Sequence, residues 1–227
     1  MTNQPSVAYC DSRESDVRTY RYEPWPEVQE GVRKVEFRLV YHGRLPAASA
    51  TTRSREKHAI RREIHKQLIE LWKRHPRLRT EFESSADPTG MTGIKRMAKN
   101  YSRCGYEFLP LIPEDLGVGC SLDILFLRRD QPGDLIKSGG DIDNRLKVLL
   151  NALKVPRTCD EIPNPPGEGE SPFFCLLEDD KLITEIKVTT DRLLLPAGLD
   201  EHLNDVHLVI HVRTIILNAS DIGAFMF

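Results

Sequence analysis

The chain has 227 residues, 40% of them hydrophobic and 29% charged, with a formal net charge of −2. That length buries a sizeable core, as one domain or as a domain with an appendage, and no run approaches the roughly 20 apolar residues of a membrane-spanning helix. Fifteen Pro and fourteen Gly exclude a low-complexity or fibrous chain.

In chain order, residues 1–31 are polar and weakly patterned, and read as a mobile or loosely docked N-terminal arm without the basic-then-apolar layout of a signal peptide. Val35–Tyr41 alternates and is rich in β-formers, so it predicts a strand stopped by Gly43 and Pro46. Between Ser54 and His75, Ile60, Ile64, Leu68, Leu71 and Trp72 recur at three- and four-residue spacing, one helix face ended by Pro76. The opposite face carries Arg55, Arg61, Arg62, Lys66 and Lys73. Leu78–Pro113 is poorly patterned apart from a short basic helix expected over Ile94–Ser102.

Cys120–Leu127 suits a largely buried strand, followed by a turn over Arg128–Gly133. Ile142, Leu146, Leu149, Leu150 and Leu153 make a second helix face. Arg157–Pro172 is too rich in Pro and Gly to fold alone and is expected to be mobile. Leu182–Val188 and Val206–Val212 read as two further strands. The order strand, helix, strand, helix, strand, strand predicts an α+β or mixed α/β domain, a small mixed sheet packed by two or more helices.

Charge is segregated along the chain. Arg53–Arg103 holds fourteen Lys+Arg against six Asp+Glu, whereas Asp130–Asp205 holds eight against sixteen. Cations for a phosphodiester strand and carboxylates for a metal are what a nuclease needs, although two ordinary solvated faces would give the same counts. Cys10, Cys104, Cys120, Cys159 and Cys175 are odd in number and include no C-x-x-C pair, which argues against a disulfide framework or a zinc cluster and for a cytoplasmic protein. His58 with His65, and His207 with His211, lack a carboxylate or Cys at ligand spacing and read as ordinary surface or sheet histidines. No G-x-x-x-x-G-K-[ST] loop is present, so no nucleotide cofactor is expected.

The chemistry concentrates in Gly139-Gly-Asp-Ile-Asp-Asn-Arg-Leu-Lys147 and Leu177-Glu-Asp-Asp-Lys-Leu-Ile183. Asp141 and Asp143 are two apart where an extended segment enters a helix, so their carboxylates share one side. Asp143 and Lys147 are helical neighbours at i,i+4. Glu178-Asp179-Asp180 immediately precedes a strand and offers a third carboxylate. Three carboxylates suit Mg²⁺, which keeps waters and takes phosphate oxygens. Singly, each group has a plainer use, as helix cap, surface ion pair or acidic turn.

Asp-x-Asp-Asn-x-x-Lys opening an apolar helix, then Asp-Asp-x-x-Ile entering a strand, resembles the RusA family of Holliday-junction resolvases. The resemblance implies a small mixed α/β nuclease domain, here residues 32–227 with insertions at about 78–113 and 157–175. It implies an active site of Asp141, Asp143, Lys147 and Asp180, with Asp179 beside the third carboxylate and Mg²⁺ or Mn²⁺ as cofactor. It further implies a homodimer that cuts four-way or other branched DNA in recombination and repair, with no membrane association. Arg55, Arg61, Arg62 and Lys66 are expected to follow the DNA backbone. A different class remains open, a non-catalytic DNA-binding or adaptor protein on the same fold.

Overall fold

The computed structural model describes residues 35–45, 53–83, 86, 88, 90–129, 142–194 and 205–217. The N-terminal arm and Asp141 lie outside the described residues. The elements are β1 (Glu36–Arg44), α1 (Arg53–Arg74), α2 (Pro76–Phe82), α3 (Gly93–Lys99), β2 (Ser102–Arg103), β3 (Tyr106–Ile112), β4 (Val118–Arg128), α4 (Ile142–Leu153), β5 (Phe173–Leu177), β6 (Ile183–Arg192) and β7 (Asp205–Ile216). No described helix is long and apolar enough to cross a membrane.

The expected α+β architecture holds, but as two mixed sheets against four helices instead of one sheet. The larger sheet has the order β1-β7-β4-β6, with β7 antiparallel to both β1 and β4, and β6 parallel to β4. The smaller has the order β2-β3-β5, with β3 and β5 parallel. Alternation in β1 and β7 buries Phe37, Leu39, Tyr41, Val206, Leu208, Ile210 and Val212 on one face. Those side chains join the α1 stripe of Ile60, Ile64, Leu68, Leu71 and Trp72 in the main core.

The smaller sheet was not legible as strands in the sequence, and its burial shows why. Every residue of β5 is buried. Leu109, Leu111, Phe174 and Leu176 face the main core, while Phe108, Phe173 and Cys175 join Tyr106 and Val155 in a second cluster. A strand covered on both faces has no alternation to read. Pro110 within β3 further disguises it, since a proline removes one ladder donor.

Two other expectations are corrected. Arg157–Pro172 is tied to the body at several points, so it is not the free loop its composition suggests. Arg61 and Lys57 reach Glu161, Arg62 reaches Glu170, His65 meets the Gly169 carbonyl, Tyr106 donates to the Asn164 carbonyl, and Cys104 is disulfide-bonded to Cys159. The disulfide is the second correction: the cysteine count and spacing argued against a disulfide framework, yet Cys104 and Cys159, 55 residues apart in sequence, are bonded with their Cα atoms 5.6 Å apart. His58 and His65 are also buried, not exposed as the sequence suggested.

Candidate active site

α4 carries the first half of the motif. Arg145, Val148, Leu149, Ala152 and Leu153 are the buried residues of this helix, while Asp143 and Lys147 stay exposed. Asp143 sits in the first turn, and its Oδ2 accepts from Lys147 Nζ at 2.6 Å. Both side chains are more than half exposed, at 52% and 66%. The i,i+4 neighbourhood read from the sequence is therefore made.

The second half lies at the entry to β6. Asp179 caps the single 3-10 turn Asp180–Leu182, its Oδ1 accepting from the Lys181 amide at 3.2 Å. Its Oδ2 takes two guanidinium hydrogens of Arg157, from Nε at 3.2 Å and Nη2 at 2.7 Å. Partial burial alone would raise the Asp179 pKa, but the Arg157 guanidinium and the Lys181 amide outweigh it and hold the carboxyl well below the usual range. Asp180 is held differently. Its Oδ1 accepts from Lys154 Nζ at 2.8 Å, with Arg157 Nη2 at 3.6 Å.

Lys154 directly follows α4, where it forms a parallel bridge to Leu177, and its side chain is only 4% exposed. A buried ammonium requires a partner, and Asp180 supplies it. Gly119 makes room for the turn that presents Asp180: a Cβ there would stand 2.7 Å from the Leu182 carbonyl oxygen.

The two halves thus flank one β4–α4–β6 crossover, each with its own lysine. Eleven residues of helix separate Asp143 from Lys154, about 16 Å of rise. The donors are all carboxylate oxygens, which suits a hard ion such as Mg²⁺. Among the described residues, however, no three His, Cys, Asp or Glu side chains are grouped to hold a metal. Asp143 provides the α4 end, and Asp179 and Asp180 the β6 end; for Asp180 to share an ion with Asp143, Lys154 must give way and the two ends must also come together.

The four cations expected to follow DNA have separate fates. Arg55 and Lys66 are exposed, Lys66 pairing with Glu63 at 2.7 Å. Arg62 is one-third exposed and pairs with Glu170 at 2.6 Å. Arg61 does not offer its guanidinium at the surface: it is enclosed, bonded to Glu161 and to the carbonyls of Asn151 and Glu161. At about 100° per residue Arg61 projects between Leu68 and Trp72, within the apolar stripe and not opposite it, and the 157–172 loop supplies its partners there. Arg55, Arg62 and Lys66 line a cleft of about 730 Å³ between α1 and that loop, with His58, His65, Glu168 and Glu170.

Lys154 and Arg157 were missed as site residues. Lys154 is the one residue of its type at the buried end of an apolar helix, which is a usable signal; Arg157 gives none before the loop is folded. Comparison with protein-family models, with curated proteins and with solved structures finds no match to this chain.

Proposed function

We propose that this chain is a metal-dependent, structure-selective DNA endonuclease of the Holliday-junction-resolvase type, acting in the cytoplasm as a homodimer. The observation that carries this reading is the crossover, which sets Asp143 with Lys147 at the start of α4 and Asp179-Asp180 at the entry of β6, in the order and on the element types the RusA resemblance requires. Asp141, Asp143 and Asp180 are the proposed ligands of Mg²⁺ or Mn²⁺, with Asp179 in support. When bound, such an ion supplies an activated water and stabilises the charge developing on phosphate.

The chain's own residues do the rest. Lys147, exposed and paired with Asp143, is the proposed cation that offsets charge on the leaving oxygen. Arg55 and Lys66 approach the strand without reading bases. Two active sites related by a two-fold axis give paired cuts across a junction.

The alternative is a non-catalytic junction-binding or adaptor protein. One observation favours it: Asp143, Asp179 and Asp180 are each already paired with a cation. Asp143→Asn separates the two. It keeps size and capping ability but removes the charge, so cleavage of a four-way junction in saturating Mg²⁺ is lost while junction affinity is kept or raised. Parent-like cleavage by this variant would make Asp143 a helix cap and not a metal ligand; binding without cleavage by the parent under any divalent ion would leave the adaptor reading standing.

A further inference from the structure

The two edges of the larger sheet are finished differently. At the β1 edge Gln67 of α1 takes the backbone of Val40, its Oε1 accepting from the amide at 2.8 Å and its Nε2 donating to the carbonyl at 2.7 Å. β6 forms the other edge and pairs with β4 alone. After a bulge at its entry it follows β4 without a break from Glu185 to Arg192. The next amide, that of Leu193, donates back to the Arg128 carbonyl of β4 at 2.7 Å. Peptide groups alternate in direction along a strand. Those of Glu185, Lys187, Thr189 and Asp191 therefore also face β4, and those of Ile186, Val188, Thr190 and Arg192 face outward. Asp191 Oδ1 takes the Arg192 amide at 2.7 Å, which ends the open row. Among the described residues, nothing takes the outward peptide groups of Ile186, Val188 and Thr190, and the Ile186 side chain is left 45% exposed.

We propose that this edge is the dimer contact: β6 of one copy pairs antiparallel with β6 of a second, about a two-fold axis through Thr189, joining two four-stranded sheets into one. The proposal rests on the homodimer of the proposed function and names its surface. Directly opposed residues of an antiparallel pair share a face, so the axis passes through a residue and not between two. Through Thr189 it sets Lys187 of each copy opposite Asp191 of the other. Val188 meets Thr190 in hydrogen-bonded pairs drawn from the open groups. The Ile186 amide reaches the Arg192 carbonyl, and its side chain lies along the arginine stem. Lys187 is 66% exposed and 3.1 Å from Asp123, an exposed pair that it can share with a second carboxylate.

Other registers spoil this match. An axis through Val188 opposes Glu185 to Asp191, and one through Lys187 opposes two lysines; like charges so placed are destabilising. An axis through Ile186 runs the ladder into the bulge at the β6 entry. The alternation of charge along β6 thus admits a second copy in one register, where an uncharged open edge would pair indiscriminately. The contact is isologous, the symmetry that paired incisions across a junction require.

The test uses the full chain in sedimentation velocity over a micromolar concentration series, with circular dichroism to confirm that each variant folds. Lys187→Asp and Asp191→Lys each oppose like charges at both ends of the contact. Each should raise the dimer dissociation constant about tenfold, the scale of two opposed pairs reversed in sign. Mixed in equal amounts, the two variants should form a heterodimer of parent-like affinity, since both opposed pairs are then again of opposite sign. Thr189→Cys stands at the axis and should cross-link to itself under mild oxidation, which the parent should not do. A dimer that ignores both charge variants and yields no heterodimer would overturn the β6 contact and leave the homodimer standing. A parent that stays monomeric throughout, with and without junction DNA, would overturn both and leave the metal site to Asp143→Asn. Slow hydrogen exchange of the Ile186, Val188 and Thr190 amides in such a monomer would assign the edge to another segment of this chain.

Discussion

The guanidinium of Arg61, midway along α1, meets the carboxylate of Glu161 at 3.0 Å with its own side chain fully enclosed and that of Glu161 only 19% exposed. Lys57 reaches the same carboxylate at 3.3 Å. Burial would push the Glu161 pKa up, but these two cations prevail and hold it below the usual range. Part of the charge segregation in the sequence is therefore spent inside the molecule, the basic helix docking on the acidic loop.

Replacing Arg61 follows from this directly. Arg61→Met removes the partner of a largely buried carboxylate and of two carbonyls, a loss of about 3 kcal/mol or more. Urea unfolding should show the drop with DNA absent. Junction affinity of the folded fraction should be almost unchanged, because this guanidinium reaches no surface.

Arg55 and Lys66 should behave the opposite way. Both are exposed, so Arg55→Ala with Lys66→Ala leaves stability within about 0.5 kcal/mol. Binding to all DNA shapes weakens, and the slope of log affinity against log salt falls by roughly 2. A salt titration with linear and branched duplexes measures both. An unchanged slope would remove α1 from the DNA-binding surface.

Acid should unfold the protein in part through His58. Burial first, then the Arg62 and Arg61 charges, push its pKa down to about 4 from 6.5. Its Nε2 is 3.2 Å from the Tyr106 hydroxyl and its ring packs against Tyr106 and Phe173. The folded state thus binds fewer protons than the unfolded one between those values. Stability from this group is fully present above pH 6.5 and lost as pH falls toward 4. Denaturant midpoints measured across that range should decline, and His58→Gln should flatten the decline.

Reduction of Cys104–Cys159 should lower global stability. The bond closes a 55-residue span, for which the chain-entropy account gives about 4 kcal/mol. Calorimetry of the oxidised protein against Cys104→Ser should show a fall in Tm on the order of 10 °C for a chain of this size. No change would mean that residual structure already restricts this loop in the reduced unfolded chain.

Legibility in the sequence followed the number of covered faces. β1, β7 and α1 present one buried side and one wet side, so a period of 2 or 3.6 marks them. β3 and β5, covered twice, carry no such mark. In the site, Asp143 with Lys147 needed only helix geometry. The Arg157 partner of Asp179 depends on a loop that composition describes as unstructured, whose anchors come from α1 and from a cysteine in the β2–β3 hairpin. Nothing local encodes such a meeting. Arg61 shows the converse error: at about 100° per residue it projects between Leu68 and Trp72, within the apolar stripe, so its place on the polar face was misread and its burial was legible.

The placement of β7 between β1 and β4 has a consequence for how the chain is made. Strands at residues 36–44 and 118–128 leave the ribosome well before residues 205–216, the segment that joins them. Until it arrives, β1 has no partner and β4 shows an open edge. Such an edge invites pairing between nascent chains, and closure by the last described strand is slow because the contact is so distant in sequence. A truncation inside 205–216 would remove the middle of the sheet, not its margin, and the product should be found in inclusion bodies or bound to chaperones.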